Sequence, residues 1–159
     1  MKATTTAALA AMVLVAMCPG SAVAAPTDAS DGPIAAAAAP ATAAAVSAAL
    51  SKVGASYASG AAGPDAFDCS GLTMWALARA DIAAPHSSYA QYAMGTAVPR
   101  SEIRRGDLVF FDSFGAGASH VALATSATTA VSATNHGVMT HPIFDAYWGG
   151  HYVGARRLG

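Results

Sequence analysis

The 159-residue sequence contains little charge of either sign. Its 8 Lys or Arg and 9 Asp or Glu residues give a formal net charge of −1 at pH 7. This balance excludes the broad basic surface with which a protein binds nucleic acid. Two cysteines are too few for a disulfide-dense scaffold or a four-cysteine zinc site. The sequence also contains no His-Glu-x-x-His motif, and we expect neither a metal nor a cofactor.

The hydrophobic content does not indicate a membrane protein. Of all residues 54% are hydrophobic, but alanine, which buries little surface, accounts for 43 of the 159. The apolar stretch at residues 9–17 is too short to cross a bilayer. Because Lys2 precedes it and a small-x-small tripeptide ending at Ala24 follows it, we predict a secretory signal peptide over residues 1–24. The protein is then secreted or cell-wall associated, without stable membrane insertion after cleavage.

The same segment bears on the cysteines. An uncleaved anchor helix and lipid attachment at Cys18 are alternatives to cleavage. If the leader is removed, Cys69 is the one cysteine left, and it cannot form an internal disulfide. It is then either a buried inert thiol or a reactive one.

The next segment is of low complexity. Residues 25–42 consist mainly of Ala, Pro, Thr, Asp and Gly, with Ile34 as the one large apolar side chain. We predict a flexible Ala/Pro-rich spacer there, in which Pro33 and Pro40 interrupt any helix. One folded domain is expected over residues 43–159.

Within this domain the hydrophobic pattern changes from helical to strand-like. We predict helices first and strands second, which indicates an α+β fold with N-terminal helices packed on a mostly antiparallel sheet. The predicted helices cover residues 43–53, 69–80 and 87–94, and the predicted strands cover residues 107–111, 120–125, 130–134, 137–141 and 151–157.

Cys69 lies where a Gly-rich loop becomes a helix. The positive end of a helix dipole stabilises a thiolate, so this position favours a nucleophile with a depressed pKa. A small buried thiol is the structural alternative. A cysteine nucleophile needs a base, and among five histidines His120 opens an apolar strand after a small-residue loop. His141 and His151 stay open as bases on these grounds.

Several blocks of sequence resemble the NlpC-type bacterial cell-wall endopeptidases, which are papain-like cysteine peptidases that cut peptidoglycan stem peptides. The blocks are residues 67–72 (FDCSGL), 85–91 (PHSSYAQ), 105–111 (RGDLVFF), 119–122 (SHVA) and 154–157 (GARR). The resemblance spans nearly all of the predicted domain. It implies a papain-like version of the α+β fold.

The resemblance also implies roles for single residues. Cys69 becomes the nucleophile and His120 the general base. The substrate-binding residues would be Tyr57 beside the thiol, Asp68 and Ser70 flanking the pocket, and Ser119 before the base. From the residues alone, Tyr57 is also compatible with an ordinary core-edge aromatic, and Asp68 with a helix N-cap.

One position departs from the family pattern. About twelve residues after the base the family has a polar residue, usually His, that orients the base, and here this residue is Ser132. A Ser hydroxyl can accept that hydrogen bond but is short and rotates freely. Asn135 or His141 would be substitutes, and a weakly active or purely binding domain is the remaining alternative.

The sequence therefore predicts a monomeric, secreted peptidoglycan hydrolase with catalytic residues Cys69, His120 and Ser132. The resemblance implies a stem peptide as partner and the bond between γ-D-glutamate and diaminopimelate as the one cut. The alternatives are a non-catalytic wall-binding module and an amidase or acyltransferase on the same fold.

Overall fold

A computed structural model describes residues 33–159, with side chains from residue 41 onward. The predicted signal peptide and Cys18 lie outside the described residues. In chain order the elements are α1 (Pro33–Leu50), β1 (Ser56–Tyr57), β2 (Ala66–Phe67), α2 (Cys69–Ala78), α3 (Ser88–Tyr92), β3 (Thr96–Val98), a 3-10 turn (Arg100–Glu102), β4 (Leu108–Phe111), β5 (His120–Ala124), β6 (Thr129–Thr134), β7 (Gly137–Pro142) and β8 (Tyr152–Arg157).

A six-stranded antiparallel sheet carries the fold. Its strand order is β3-β8-β4-β5-β6-β7, while β1 and β2 form a separate parallel pair. Helices α1 and α2 pack against each other and onto β5 and β6. This arrangement confirms the predicted α+β class with N-terminal helices on a mostly antiparallel sheet.

The central strands are buried on both faces. In β4, Leu108 and Phe110 face the core beneath the helices, whereas Val109 and Phe111 belong to a second apolar cluster. Since successive side chains of a strand point to opposite faces, a strand covered on both sides reads as an uninterrupted apolar run. The sequence Leu-Val-Phe-Phe is of this kind, and the predicted strand is confirmed.

Helix α1 starts earlier than predicted. It runs from Pro33, so residues 33–42 of the predicted flexible spacer are helical, and Pro40 does not interrupt it. Proline is tolerated at a first helical position, because its missing N–H has no intrahelical partner there. Alanine has the highest helix propensity, and three fully buried residues anchor the second half of the helix in the core: Ala45, Val46 and Ala49.

Thr42, which we placed in the spacer, is itself buried. It lies against Gly106, where an added Cβ would come within 2.6 Å of the Thr42 Oγ1 atom. Within the described part of the chain, no helix is long and apolar enough to span a membrane.

Candidate active site

Cys69 is the first residue of α2, and Asp68 caps this helix. The carboxylate of Asp68 accepts the backbone N–H groups of Gly71 at 2.6 Å and of Gly60 at 2.9 Å. A side chain at position 71 would collide with the carbonyl oxygen of Ala61. The Asp-Cys-Ser-Gly sequence therefore closes the loop tightly onto the start of the helix and fixes the position of the thiol.

Asp68 has further partners beside the thiol. The His86 Nε2 atom lies 2.9 Å from Asp68 Oδ1, and the Ser70 hydroxyl donates to the same oxygen at 3.1 Å. Burial raises the pKa of Asp68, but the hydrogen bonds from Gly71 and His86 outweigh burial and leave the pKa below its usual value. Asp68 is thus an ionised carboxylate next to Cys69 as well as a helix cap.

The thiol of Cys69 is partly buried and free. Burial and the negative charge of Asp68 raise its pKa, although the backbone N–H of Val121 and the amides at the helix start act in the opposite direction. The predicted depressed pKa is therefore wrong: loss of hydration outweighs the helix terminus. The influence of Val121 places the thiol beside the residue that follows His120.

His120 opens β5 and is fully buried. Burial, followed by the neighbouring His141, lowers its pKa to about 3. Its Nε2 atom lies 3.1 Å from the Ser132 hydroxyl oxygen. Its Nδ1 atom is buried and has no hydrogen-bond partner among the described residues. At neutral pH the ring is therefore uncharged, with one nitrogen engaged by Ser132 and the other free.

The Ser132 hydroxyl also contacts a second histidine. Its Oγ atom lies 3.0 Å from His141 Nε2, and His141 Nδ1 lies 2.8 Å from the carbonyl oxygen of Pro142. Ala130 of β6 is paired with His141 of β7, so Ser132, two residues along β6, is a diagonal neighbour of His141 on the same face. Ser132 therefore contacts the predicted base, as expected. His141 does not replace Ser132 but lies behind it, so that His120, Ser132 and His141 form a chain of hydrogen bonds.

Trp148 covers both histidines. Its ring is stacked on His141 with a centroid distance of 3.9 Å and an interplanar angle of 21°, and on His120 with 5.4 Å and 28°. The Phe114 ring also packs against His120, with the two ring centroids 5.2 Å apart. These rings explain the lowered pKa values of His120 and His141, because they displace the water that would solvate an imidazolium.

Phe114 and Trp148, whose rings contact His120, also line a cavity of about 390 Å³. Its lining combines large apolar side chains with polar ones: Phe114, Met139, Tyr147, Trp148, Thr134, Asn135 and His136. Asn135, considered as a substitute for Ser132, lines this cavity and is not among the hydrogen-bond partners of His120.

The predicted substrate-binding residues fall into two groups. Tyr57 is exposed and lies near the thiol, since burial and then Cys69 raise its pKa. Asp68 and Ser70 adjoin Cys69 as described. The Ser119 hydroxyl instead donates to the Gly115 carbonyl at 2.8 Å and accepts the Phe114 N–H at 3.1 Å. It organises the loop before His120, and its role in substrate binding stays a prediction.

Sequence reasoning missed several residues of the site. His86, which the sequence analysis did not single out, pairs with Asp68. Gln91 is fully buried and donates to the carbonyls of Ser70 and Pro85 while accepting the Thr73 hydroxyl. Both residues lie in the block at residues 85–91 that resembles the family, and this block was the one sign in the sequence that they belong to the site. Among the described residues no group of His, Cys, Asp and Glu could hold a metal ion.

Comparisons with known proteins agree with this geometry. Probable endopeptidase p60 of Listeria monocytogenes is 41% identical over 106 residues, which are 67% of this chain and 22% of that protein. The peptidoglycan hydrolase RipB of Mycobacterium tuberculosis superposes with a TM-score of 0.66 and 31% identity over 86% of this chain and 73% of that one. An NLP/P60-family protein from Staphylococcus aureus, described as similar to lipoprotein, superposes with a TM-score of 0.68 and 31% identity. The match covers 75% of this chain and 41% of that one.

The chain thus spans about a fifth of the length of the Listeria relative. The model of the NlpC/P60 family matches residues 54–157. The matched segment includes the thiol, both histidines of the hydrogen-bonded chain and the serine between them. The earlier resemblance is confirmed: this chain belongs to the NlpC/P60 family.

Proposed function

We propose that the domain is a cysteine peptidase that hydrolyses peptidoglycan stem peptides between γ-D-glutamate and diaminopimelate. The observation that carries this proposal is the free, buried Nδ1 atom of the uncharged His120, whose neighbour in β5, Val121, directs its backbone N–H at the thiol of Cys69. A neutral imidazole with an unused lone pair is a general base, and a thiol is a nucleophile once its proton is removed. The names of the Listeria and Mycobacterium relatives support an endopeptidase and a peptidoglycan hydrolase, respectively.

The raised pKa of Cys69 and the lowered pKa of His120 favour a neutral thiol and a neutral imidazole before substrate binds. The proton then moves from Sγ to His120 Nδ1 as the sulfur attacks the carbonyl carbon of the scissile bond. The resulting imidazolium gives this proton to the leaving amine when the tetrahedral intermediate collapses to a thioester. Water hydrolyses the thioester with His120 again as base, which regenerates the thiol.

The residues around the thiol have matching roles. The Cys69 N–H at the start of α2 and the Tyr57 hydroxyl would donate to the oxyanion. Asp68 is ionised, and its Oδ2 atom has one recorded partner, the Gly60 N–H, whereas Oδ1 has three. Oδ2 thus retains capacity to accept the free amine of a stem peptide. The adjoining cavity would accommodate another part of the substrate.

The remaining assignments follow from the same proposal. A wall substrate requires export, and the N-terminal leader would supply it, giving a secreted or wall-associated monomer. A chain that bound the wall without cutting it would be the alternative if Ser132 left the base unoriented. The contacts of Ser132 with both His120 and His141 favour catalysis.

The experiment is to incubate the purified protein with L-Ala-γ-D-Glu-diaminopimelate and to follow the release of free amines. We expect cleavage by the wild type, none by Cys69→Ala, and unchanged cleavage by Ser59→Ala, an exposed loop substitution. Activity in Cys69→Ala would exclude the thiol mechanism. Binding to purified walls without cleavage would indicate the binding module, and release of a sugar-linked amide would indicate an amidase.

A further inference from the structure

The chain of hydrogen bonds behind His120 ends at a group that can act only as an acceptor, the carbonyl oxygen of Pro142. The His141 Nδ1 atom, 2.8 Å away, must therefore carry a hydrogen and donate it. Burial lowers the pKa of His141, which makes its ring neutral at neutral pH. A neutral imidazole has one N–H, so His141 Nε2 is an acceptor.

This assignment fixes the direction of the next two hydrogen bonds. The Ser132 hydroxyl lies 3.0 Å from His141 Nε2 and must donate its single hydrogen there. Its oxygen then faces His120 Nε2, 3.1 Å away, as an acceptor, so His120 Nε2 carries the hydrogen of that ring. The lone pair of His120 is left on Nδ1, the buried atom without a recorded partner.

A serine hydroxyl alone could not impose this direction. It can donate as well as accept, and a hydroxyl that donated to His120 Nε2 would move the ring hydrogen to Nδ1, where it would block proton acceptance. His141 removes this choice, because its Nε2 atom accepts the hydrogen bond that the Ser132 hydroxyl donates. Trp148, stacked on the ring at 3.9 Å, holds His141 in place.

We propose that His141 is a positioning residue which, through Ser132, holds His120 in the tautomer whose Nδ1 accepts the thiol proton of Cys69. This inference rests on the proposed function for its catalytic meaning. When the proton moves from Sγ to Nδ1, His120 becomes an imidazolium with a hydrogen on each nitrogen. The Ser132 hydroxyl keeps its hydrogen and donates it to His141 throughout. The only proton that moves is therefore the one transferred from Sγ to His120 Nδ1.

The first test is substitution at position 141. His141→Leu removes the acceptor, and we expect kcat on the stem peptide to fall by roughly 10²-fold, with KM little changed, since a positioned base contributes about 10²–10⁴-fold. His141→Gln keeps an amide oxygen that can accept from Ser132, and it should recover most of the loss. In a Ser132→Ala background, His141→Leu should have little further effect. Equal losses for Leu and Gln, or additive losses with Ser132→Ala, would overturn the inference.

The second test needs no substrate. In protein labelled with ¹⁵N in the histidine rings, NMR should show His120 protonated at Nε2 and unprotonated at Nδ1, and His141 protonated at Nδ1. In His141→Leu a form of His120 protonated at Nδ1 should appear, while the backbone spectrum confirms the fold. A wild type protonated at His120 Nδ1, or an unchanged tautomer in His141→Leu, would refute the inference even if the domain cleaves peptide. If no stem peptide is cleaved, the proposed function fails, and the tautomer still decides this inference.

Discussion

Trp148 and His141 lie face to face, with their ring centroids 3.9 Å apart and their planes inclined by 21°. The indole also overlaps His120, so one side chain separates two imidazoles from solvent. The low pKa of His120 is a consequence of this cover and of burial between strands.

Replacement of this indole should raise the pKa of His120. In Trp148→Leu water can reach the ring, the imidazolium becomes better solvated, and the pKa moves from about 3 toward its ordinary value. Since the base must be neutral to act, the acidic limb of the kcat/KM profile should shift to higher pH. Trp75→Leu is the matched control, because Trp75 contacts Phe67 and Arg79 instead of the histidines. An identical shift in both variants would contradict this role of Trp148.

Burial of a neutral His120 should make stability depend on pH. With a pKa of about 3 in the folded state and an ordinary value of 6.5, the unfolded chain binds more protons between these pH values. The free energy of unfolding should therefore fall as pH decreases from 6.5 toward 3, by up to about 1.4 kcal/mol per pH unit from this group. Denaturant titrations of the wild type and His120→Gln test this, and the variant should have the shallower slope. Equal slopes would show that His120 does not titrate as described.

Alkylation should report the raised pKa of Cys69. In a Cys18→Ser background, we expect the rate with iodoacetamide to have its midpoint above the ordinary thiol pKa of about 8.5. Asp68→Asn keeps a helix-capping side chain but removes the charge that opposes the thiolate, so its midpoint should be lower. A wild-type midpoint below pH 7 would instead indicate a thiolate paired with an imidazolium at rest.

The ion pair between Asp107 and Arg157 should be important for stability. Asp107 is 1% exposed and accepts two hydrogen bonds of 2.8 Å from the Arg157 guanidinium. Arg157→Gln leaves a buried carboxylate without its counter-charge, which should lower the free energy of unfolding by roughly 3 kcal/mol. Arg104→Gln is the control, because only the backbone N–H of Arg104 contacts Asp107. Equal losses in both variants would argue against a stabilising role for the pair.

Local patterns predicted the parts of the site that depend on nearby residues. The start of α2 at Cys69 follows from the capping sequence, and the five long strands follow from apolar runs bounded by Gly and polar turns. The spacing from His120 to Ser132 follows from the family resemblance, and the 3.1 Å contact agrees with it.

Interactions between distant segments were not predictable in this way. Trp148 follows His120 by 28 residues, and no periodicity links them. The pKa of Cys69 depends on how deeply folding buries the sulfur, which a position at a helix start does not reveal. The start of α1 was missed because low-complexity alanine sequence gives no sign of a core contact.

Helix α1 also determines where the domain can be shortened. Ala45, Val46 and Ala49 are fully buried, yet they precede the segment that matches the family, residues 54–157. A recombinant fragment cut at the family boundaries would lack one wall of its hydrophobic core and expose the surface of α2 beneath it. Expression clones that begin upstream of α1 should give soluble domain, whereas those that begin at residue 54 should aggregate.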